Sequence, residues 1–450
     1  MPNDQVKKFL CSHDASLREA LTKIEQNTRG LLVIEKNNVV VGIITDGDIR
    51  RLLIDEQFDG KETVLEICNT NFVFAFESDP EEKVISLFSN KIKFLPILNQ
   101  SLQLTDVQFH DQVHRNRHPK MVYARAPARI TLGGGGSDKI EYFKHERGLC
   151  INAAIKKYAF CSLSSHRQLK HVSIISSDYD TSWEFKNVSD LMKATDPKLL
   201  IYQKVLSFLD FYEPIKIITH CDFPVGSGLG GSSALTVAML HAFSELEGTT
   251  TSKIRLAKNA YKLERIAMRI SGGWQDQYAA SVGGVNAIFF SQEKHDVHNI
   301  KLSSKVVNDL EASLYLCFTG IAHDSSEIHK DIEINATART MKMGETVRLA
   351  HEMLSALTNE DLSMFDTNIN ENWKLKKQYS SKITSELLDQ KITVLKKAGA
   401  SSAKIVGAGG GGYILARVPV QYNRVFVSVC AENGLHPERV LFDMEGVASW

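Results

Sequence analysis

Neither sign of charge is in excess in this chain: 53 lysines and arginines meet 53 aspartates and glutamates. Recruitment of nucleic acid by bulk positive charge is therefore not expected. Cysteine is sparse, seven residues with no C-x-x-C among them. That removes the usual grounds for a disulfide framework and fits thiols kept reduced in the cytoplasm. Long apolar runs are missing as well. Nothing approaches the ~18 residues of a membrane span, and the start, MPNDQVKKFL, lacks the apolar stretch of a secretory leader. A cytoplasmic protein with no membrane or nucleic-acid partner is the expectation. A Walker-type G-x-x-x-x-G-K-[ST] loop is absent too. Against these absences stand 450 residues, 43% apolar and 24% charged. That is the composition of a globular protein too long for one ordinary core.

Two or three domains follow, and the pattern of the chain suggests where they divide. Residues 13–54 read as helix, strand, strand, helix. Ala15 to Ile24 has apolar residues at helical spacing, Gly30-LLVIE and Val39-VVGII read as strands, and a helix begins at Asp46. Residues 61–114 repeat this plan more faintly, with Glu81 to Phe88 as helix, Phe94-LPIL as strand and Leu104-TDVQF opening the last helix. Two copies of a ~60-residue unit suggest a paired module, since a solenoid needs at least three. The polar, basic stretch 110–120 reads as a linker. After Met121, strand-like runs over 122–130, 151–163, 171–176 and 215–219 precede helical runs over 233–246 and 252–270. This partial segregation favours α+β over a regularly alternating parallel sheet.

Glycine comes in clusters. The segment DFPVGSGLGGSSALTVAML (222–240) sets Gly226-x-Gly228-x-x-Gly231 between a strand and a helix. One reading is a dinucleotide-binding turn, the mark of a dehydrogenase. It lacks the second strand and acidic residue expected about 20 residues further on; Glu245-Leu-Glu247-Gly248 leads into another helix instead. The other reading is a phosphate loop, in which bare N–H groups at a helix N-terminus hold an anion. A hydroxyl in the first turn, Ser232, then stands where it can reach magnesium on the phosphates. Ser232 and Ser233 can equally be plain helix caps. A second cluster, 407–412, has four consecutive glycines between apolar runs. Their entropy cost is best explained by close approach of backbone to a ligand.

Taken together, three segments resemble the motifs of the GHMP small-molecule kinases, in order, over essentially all of 121–450. They are ARAPARITLGGGGSD (124–138), PVGSGLGGSSA (224–234) and AKIVGAGGGGYILA (403–416). The resemblance implies an α+β, two-lobed kinase, with a ribosomal-protein-like N-terminal lobe over 121–290 and an α+β C-terminal lobe over 291–450. It implies ATP and Mg2+ as cofactors, the nucleotide being cradled by Pro224, Gly226, Ser227, Gly228, Leu229, Gly230, Gly231, Ser232 and Ser233. The segment SGGWQDQYAASVGG (271–284) resembles the D-Q element of galactokinases, fucokinases and heptose kinases, where the aspartate, here Asp276, is the proposed base. Arg129 falls on the catalytic arginine. Arginine suits that task because it stays charged. Asp138, Gly135, Gly136, Gln277, Gly409, Gly410 and Gly411 fall on substrate-side positions, and Glu264 with Ser232 on those holding the metal. Three departures stand out: Gly231 begins the serine run, Thr131 replaces asparagine, and Gly135-Gly136 replace Glu-His.

GGGGSD, QDQYAASVGGVN, CFTGIAHDSSEI and NWKLKKQYSSKI resemble the heptose 7-phosphate kinases most closely. A phosphorylated acceptor needs cations, and Lys156, Lys157, Lys377 and His323 are the candidates in matching segments. Fucokinase is the runner-up, another anomeric sugar kinase the third reading, and a non-catalytic sugar or nucleotide sensor a further one. Residues 1–118 resemble a pair of CBS repeats through GIITDGDIRR (42–51), which implies Thr45 and Asp48 on the ribose of an adenine nucleotide. Gln108 in the second repeat stands where that aspartate belongs, implying a degraded second site. Regulation and homodimer assembly are both open to such a module.

Overall fold

The computed structural model describes residues 4–27, 29–54, 62–89, 92–109, 120–166, 169–321, 328 and 336–450. It divides into two units, Met1–Pro119 and Lys120–Trp450. None of its described helices is long and apolar enough to cross a membrane.

In the first unit β1 (Leu10–Ser12) runs parallel to β2 (Leu31–Lys36), which pairs antiparallel with β3 (Val39–Thr45). The second half repeats this order and sense, with β4 (Ala75–Phe76), β5 (Phe94–Leu98) and β6 (Leu104–Phe109). Leu104–Phe109 is thus a strand, where the sequence pattern predicts the opening of a helix. Thr105-Asp106 imitates a helix start, but the Thr105 hydroxyl donates across the sheet to the Ile97 carbonyl at 3.1 Å. Leu104, Val107 and Phe109 close a core with Val33 and Leu98, so the core fixes the conformation.

The second unit is built on one large sheet. Its strands are β7 (Lys120–Gly133), β8 (Gly148–Ser165), β9 (Val172–Ser176), β10 (Thr181–Phe185), β11 (Lys216–Cys221), β12 (Val285–Phe290) and β13 (His295–Asn299). The order is β10-β9-β11-β8-β12-β13, with β7 laid along β8. All these pairs are antiparallel except β9 with β11. The helix Gly231–Glu247 packs across β7 and β8. It is apolar on nearly every side because it is buried on nearly every side, and it stops at Gly248, whose φ of 69° suits a left-handed cap.

A second, antiparallel sheet follows, ordered β15-β16-β14-β17. Its strands are β14 (Leu314–Phe318), β15 (Ser402–Ile405), β16 (Tyr413–Arg417) and β17 (Pro437–Arg439). One apolar core joins the two sheets, running from Ala128 and Ile151 through Leu316 and Met353 to Phe442. The expected lobes 121–290 and 291–450 therefore share an interior.

The turn after β7 tolerates no side chain. Gly134 has φ +77°, and a Cβ there would lie 1.8 Å from the Leu149 carbonyl oxygen. Gly134→Ala combines left-handed strain of about 1–3 kcal/mol with a backbone collision, so the thermal midpoint should drop by at least roughly 5 °C. A melting curve superimposable on the wild type would contradict this packing.

Candidate active site

A cavity of about 470 Å3 opens beside the large sheet, and the motif segments converge on it. Its centre is an ion pair. Arg129, on β7, donates through Nε to Asp276 Oδ1 at 2.7 Å and through Nη2 to Oδ2 at 2.8 Å. The fork-to-fork geometry makes this a strong, rigid pair. The third arm, Nη1, donates to the Gly228 carbonyl at 2.5 Å, so the same guanidinium anchors the glycine segment 226–231. Asp276 comes from the first turn of the helix Gln275–Val282. At Gly230, where φ is +77°, a Cβ would press on both members of the pair at 3.3 Å; only glycine leaves it undisturbed.

Glu264 is the second buried acid. It lies in a π-helical segment, Lys262–Ala267, that continues the helix Lys253–Tyr261. Within it the Met268 N–H bonds five residues back, to Leu263. The Glu264 carboxylate accepts from the hydroxyls of Ser232 and Ser233, each at 2.7 Å, and from the Gln277 amide at 2.5 Å. Among the described residues no lysine or arginine pairs with it. A fully buried carboxylate without a cation, meeting serine hydroxyls at a phosphate-type loop, suits Mg2+, which takes one or two carboxylates plus substrate phosphates. Among the described residues no cluster of three or more His, Cys, Asp or Glu forms a cage of its own. Such an ion would therefore need phosphate oxygens as well.

The remaining motif residues divide into those that face the cavity and those that support it. Pro224, Gly226, Ser227, Gly228, Gly230, Gly231, Ser232 and Ser233 line it; Leu229 is buried in the core instead. Gly135, Gly136 and Asp138 line it too. Asp138 accepts from the backbone N–H of Gly136 at 3.0 Å and of Gln275 at 3.2 Å. Burial, and then Asp276 nearby, push its carboxyl above the ordinary range. Gln277 does not reach the cavity; it is fully buried and braces Ser233 and Glu264. Gly409, Gly410 and Gly411 also stand back from it. The Gly410 N–H donates to Ile383, and glycine backbone packs against residues 227–228: a Cβ on Gly412 would lie 2.2 Å from the Ser227 carbonyl oxygen. The cluster holds the nucleotide-type loop in place, and the part of it on the wall is Gly407 and Ala408.

The expected cations fall elsewhere. Lys156 is exposed, Lys157 bridges to Glu438 at 2.6 Å and Lys377 lies 3.5 Å from Asp389. None of the three lines the cavity. His323 lies outside the described residues. Lysines that do line the wall include Lys376 and Lys404. Sequence reasoning also missed Gln275, whose Oε1 accepts from the Thr131 hydroxyl at 2.7 Å. The same holds for Asp178, Tyr179 and Lys198, which reach the wall from other parts of the sheet layer. No motif marks these positions.

In the first unit Thr45 and Asp48 answer each other. The Thr45 hydroxyl donates to Asp48 Oδ2 at 2.7 Å, and the Asp48 N–H returns to that hydroxyl at 3.2 Å. Together they cap the helix Asp46–Ile54. Burial works against the charged carboxylate, but the Thr45 hydroxyl and amide and Arg51 outweigh it, so Asp48 sits below the ordinary range.

Fold and site together define the class: this chain belongs to the GHMP kinases. The family descriptions "GHMP kinases N terminal domain" and "GHMP kinases C terminal" match residues 198–284 and 353–431, and "CBS domain" matches residues 6–55. It is a sugar kinase with a CBS domain at its front. The chain is 31% identical over 340 residues to the D-glycero-alpha-D-manno-heptose 7-phosphate kinase of Campylobacter jejuni, a match covering 74% of this chain and 99% of that protein. It is 24% identical over 369 residues to the L-fucokinase/L-fucose-1-P guanylyltransferase of Bacteroides fragilis, covering 72% of this chain and 37% of that one. Among solved structures, a D-glycero-D-manno-heptose 1-phosphate kinase from Bacteroides thetaiotaomicron superposes with a TM-score of 0.61 at 26% identity, covering 73% of this chain and 98% of that one. The glycine segment 222–240 is therefore part of a kinase, and the dehydrogenase reading falls.

Proposed function

We propose that this kinase transfers the γ-phosphoryl group of ATP to the anomeric (C1) hydroxyl of a sugar. Its acceptor is D-glycero-D-manno-heptose 7-phosphate and its product the 1,7-bisphosphate, made in the cytoplasm for GDP-heptose and surface glycan precursors. The observation that carries the reading is the Arg129–Asp276 pair, set between the glycine loop and the Gly135–Asp138 wall. Arg129 favours the ionised form of Asp276, which can then accept the proton of the attacking hydroxyl. The new bond joins that oxygen to the γ-phosphorus while the bond to the β–γ bridging oxygen breaks, leaving ADP. Mg2+, held by Ser232 and Glu264, would offset charge on the phosphates. Asp138 and Gln275 present oxygens and an amide to orient sugar hydroxyls.

The acceptor is chosen by space. Where related sugar kinases carry Glu-His, Gly135-Gly136 leave the wall bare, an advantage only for a substrate whose remote group supplies binding energy. Fucokinase remains the second reading, on the strength of GGWQDQ and the Bacteroides fragilis relative. A panel of sugars and sugar phosphates with ATP, followed by ADP release, tests the proposal. Heptose 7-phosphate should be used far better than galactose or fucose. Gly136→His should hurt it more than any small sugar that reacts, because Gly136 has φ +98° and a Cβ there already comes 3.1 Å from Met343 Cε. Efficient turnover of fucose with none of the heptose phosphate would promote the runner-up.

For the first unit we propose an adenine nucleotide site at Thr45 and Asp48, with dimerisation as the other role. Calorimetry on the full chain should find AMP binding that Asp48→Ala removes. No difference between the two proteins would leave the assembly role alone.

A further inference from the structure

Two lysines at the wall of the cavity have no acid to meet them. Lys376 ends the helix Leu362–Lys376, and its ammonium donates to the Gly407 carbonyl at 2.5 Å and the Ile405 carbonyl at 3.4 Å. Lys404, on β15, is 6% exposed and donates to the Leu132 carbonyl at 2.9 Å. Among the described residues neither ammonium has a carboxylate within ion-pair reach. Asp276, the acid at the centre of the cavity, is already chelated by Arg129 through both oxygens. Each ammonium carries three donors, so Lys404 has two to spare and Lys376 one. The sheet strand and the helix end bring together two positive charges whose only partners are neutral carbonyls.

Such a pair is costly to keep unless something anionic completes it. The strain is visible in the titration. Burial, then Arg129, bring Lys376 down to about 7, and burial, then Lys376, bring Lys404 down to about 7. The two ammoniums sense each other and the catalytic arginine, and they face the same void.

We infer that Lys376 and Lys404 form a clamp for a phosphoryl group entering this cavity. The group is either the phosphate ester of the acceptor or the phosphoryl in transfer. The proposal rests on the sugar-phosphate kinase reading and adds to it the residues that recognise the second phosphate, in place of Lys156, Lys157 and Lys377.

The test uses the full chain with Lys376→Met and Lys404→Met, which remove the charge and keep the length. Exchanging a buried, unpaired cation for an apolar side chain should not unfold the protein. Lys376→Arg, which keeps the charge, is the control for packing. Three quantities are measured: the kcat/KM ratio of heptose 7-phosphate over free heptose, the ratio of ATP to ADP affinity, and the affinity for inorganic phosphate at pH 6 and pH 8.5. If the clamp holds the acceptor's phosphate, the first ratio falls at least tenfold in both methionine variants and the second does not change. If it holds the phosphoryl in transfer, the second ratio collapses instead. In either case wild-type phosphate binding weakens as pH rises past 7 and the ammoniums lose their protons. In the variants that dependence flattens to the ionisation of phosphate itself. Should the wild type reject every heptose, the acceptor reading fails, and the nucleotide ratio and the phosphate titration still decide the clamp. All three quantities within twofold of wild type in both methionine variants would overturn it.

Discussion

Asp276→Asn should lower turnover by roughly 10² to 10⁴, the usual contribution of a positioned base. The amide keeps the shape of the carboxylate and presents one oxygen to Arg129, so the loop beside it should persist. What disappears is the proton acceptor and the charge that balances the guanidinium. Arg129 and Asp276 are only 8% and 18% exposed, so the unpaired cation also costs stability, on the order of 3 kcal/mol. A steady-state assay should therefore be read beside a melting curve and a nucleotide titration. Turnover lost with nucleotide affinity retained assigns the base. A variant working at close to the wild-type rate on a good acceptor would show that the pair is a structural brace.

Glu264→Gln is the companion experiment, aimed at charge rather than at a proton. Two serine hydroxyls and an amide already satisfy this carboxylate, so glutamine can stay in place with most of its neighbours. If the carboxylate serves only to fix Ser232 and Ser233, little should change. If it holds Mg2+, removing one preorganised charge should lower kcat by about 10² to 10³ and raise the Mg2+ concentration needed for half-maximal rate. A Mg2+ titration at fixed ATP separates the two. An unaltered midpoint with a rate within threefold of wild type would refute the metal role.

How much of this could be read beforehand depends on the kind of residue. Glycines that let one backbone lie on another have no substitutes, so 226–231 and 407–412 announce a close approach in any context. What they approach is less legible: Gly409–Gly411 turn out to face Ile383 and Ile321 rather than a ligand. Arg129 and Asp276 are visible because their motif neighbours fix their identity. Lys376 and Lys377 show the limit. Both are lysines at the end of one helix, yet successive residues point about 100° apart, so one enters the cavity and the other meets Asp389. No pattern within the segment decides which, because the helix is oriented by a core contributed from both ends of the chain. Leu104–Phe109 fails for a related reason: its Thr-Asp pair copies the signal that starts a helix after β3, and the buried contacts of the strand override it.

The widened turn at Lys262–Ala267 has a consequence for how this site tolerates changes of length. A π-helical turn holds one residue more than the α-helical turn it interrupts. Removing a single residue just after Glu264 would let the segment relax into regular α-helix, and everything beyond it would swing by about 100° relative to what precedes. Glu264 and Asp276 could then no longer both face the cavity, although each would still be present in the sequence. Between these two acids the chain therefore keeps a count as well as a composition. A relative with every motif residue intact but one residue fewer in this interval should be expected to lack the activity.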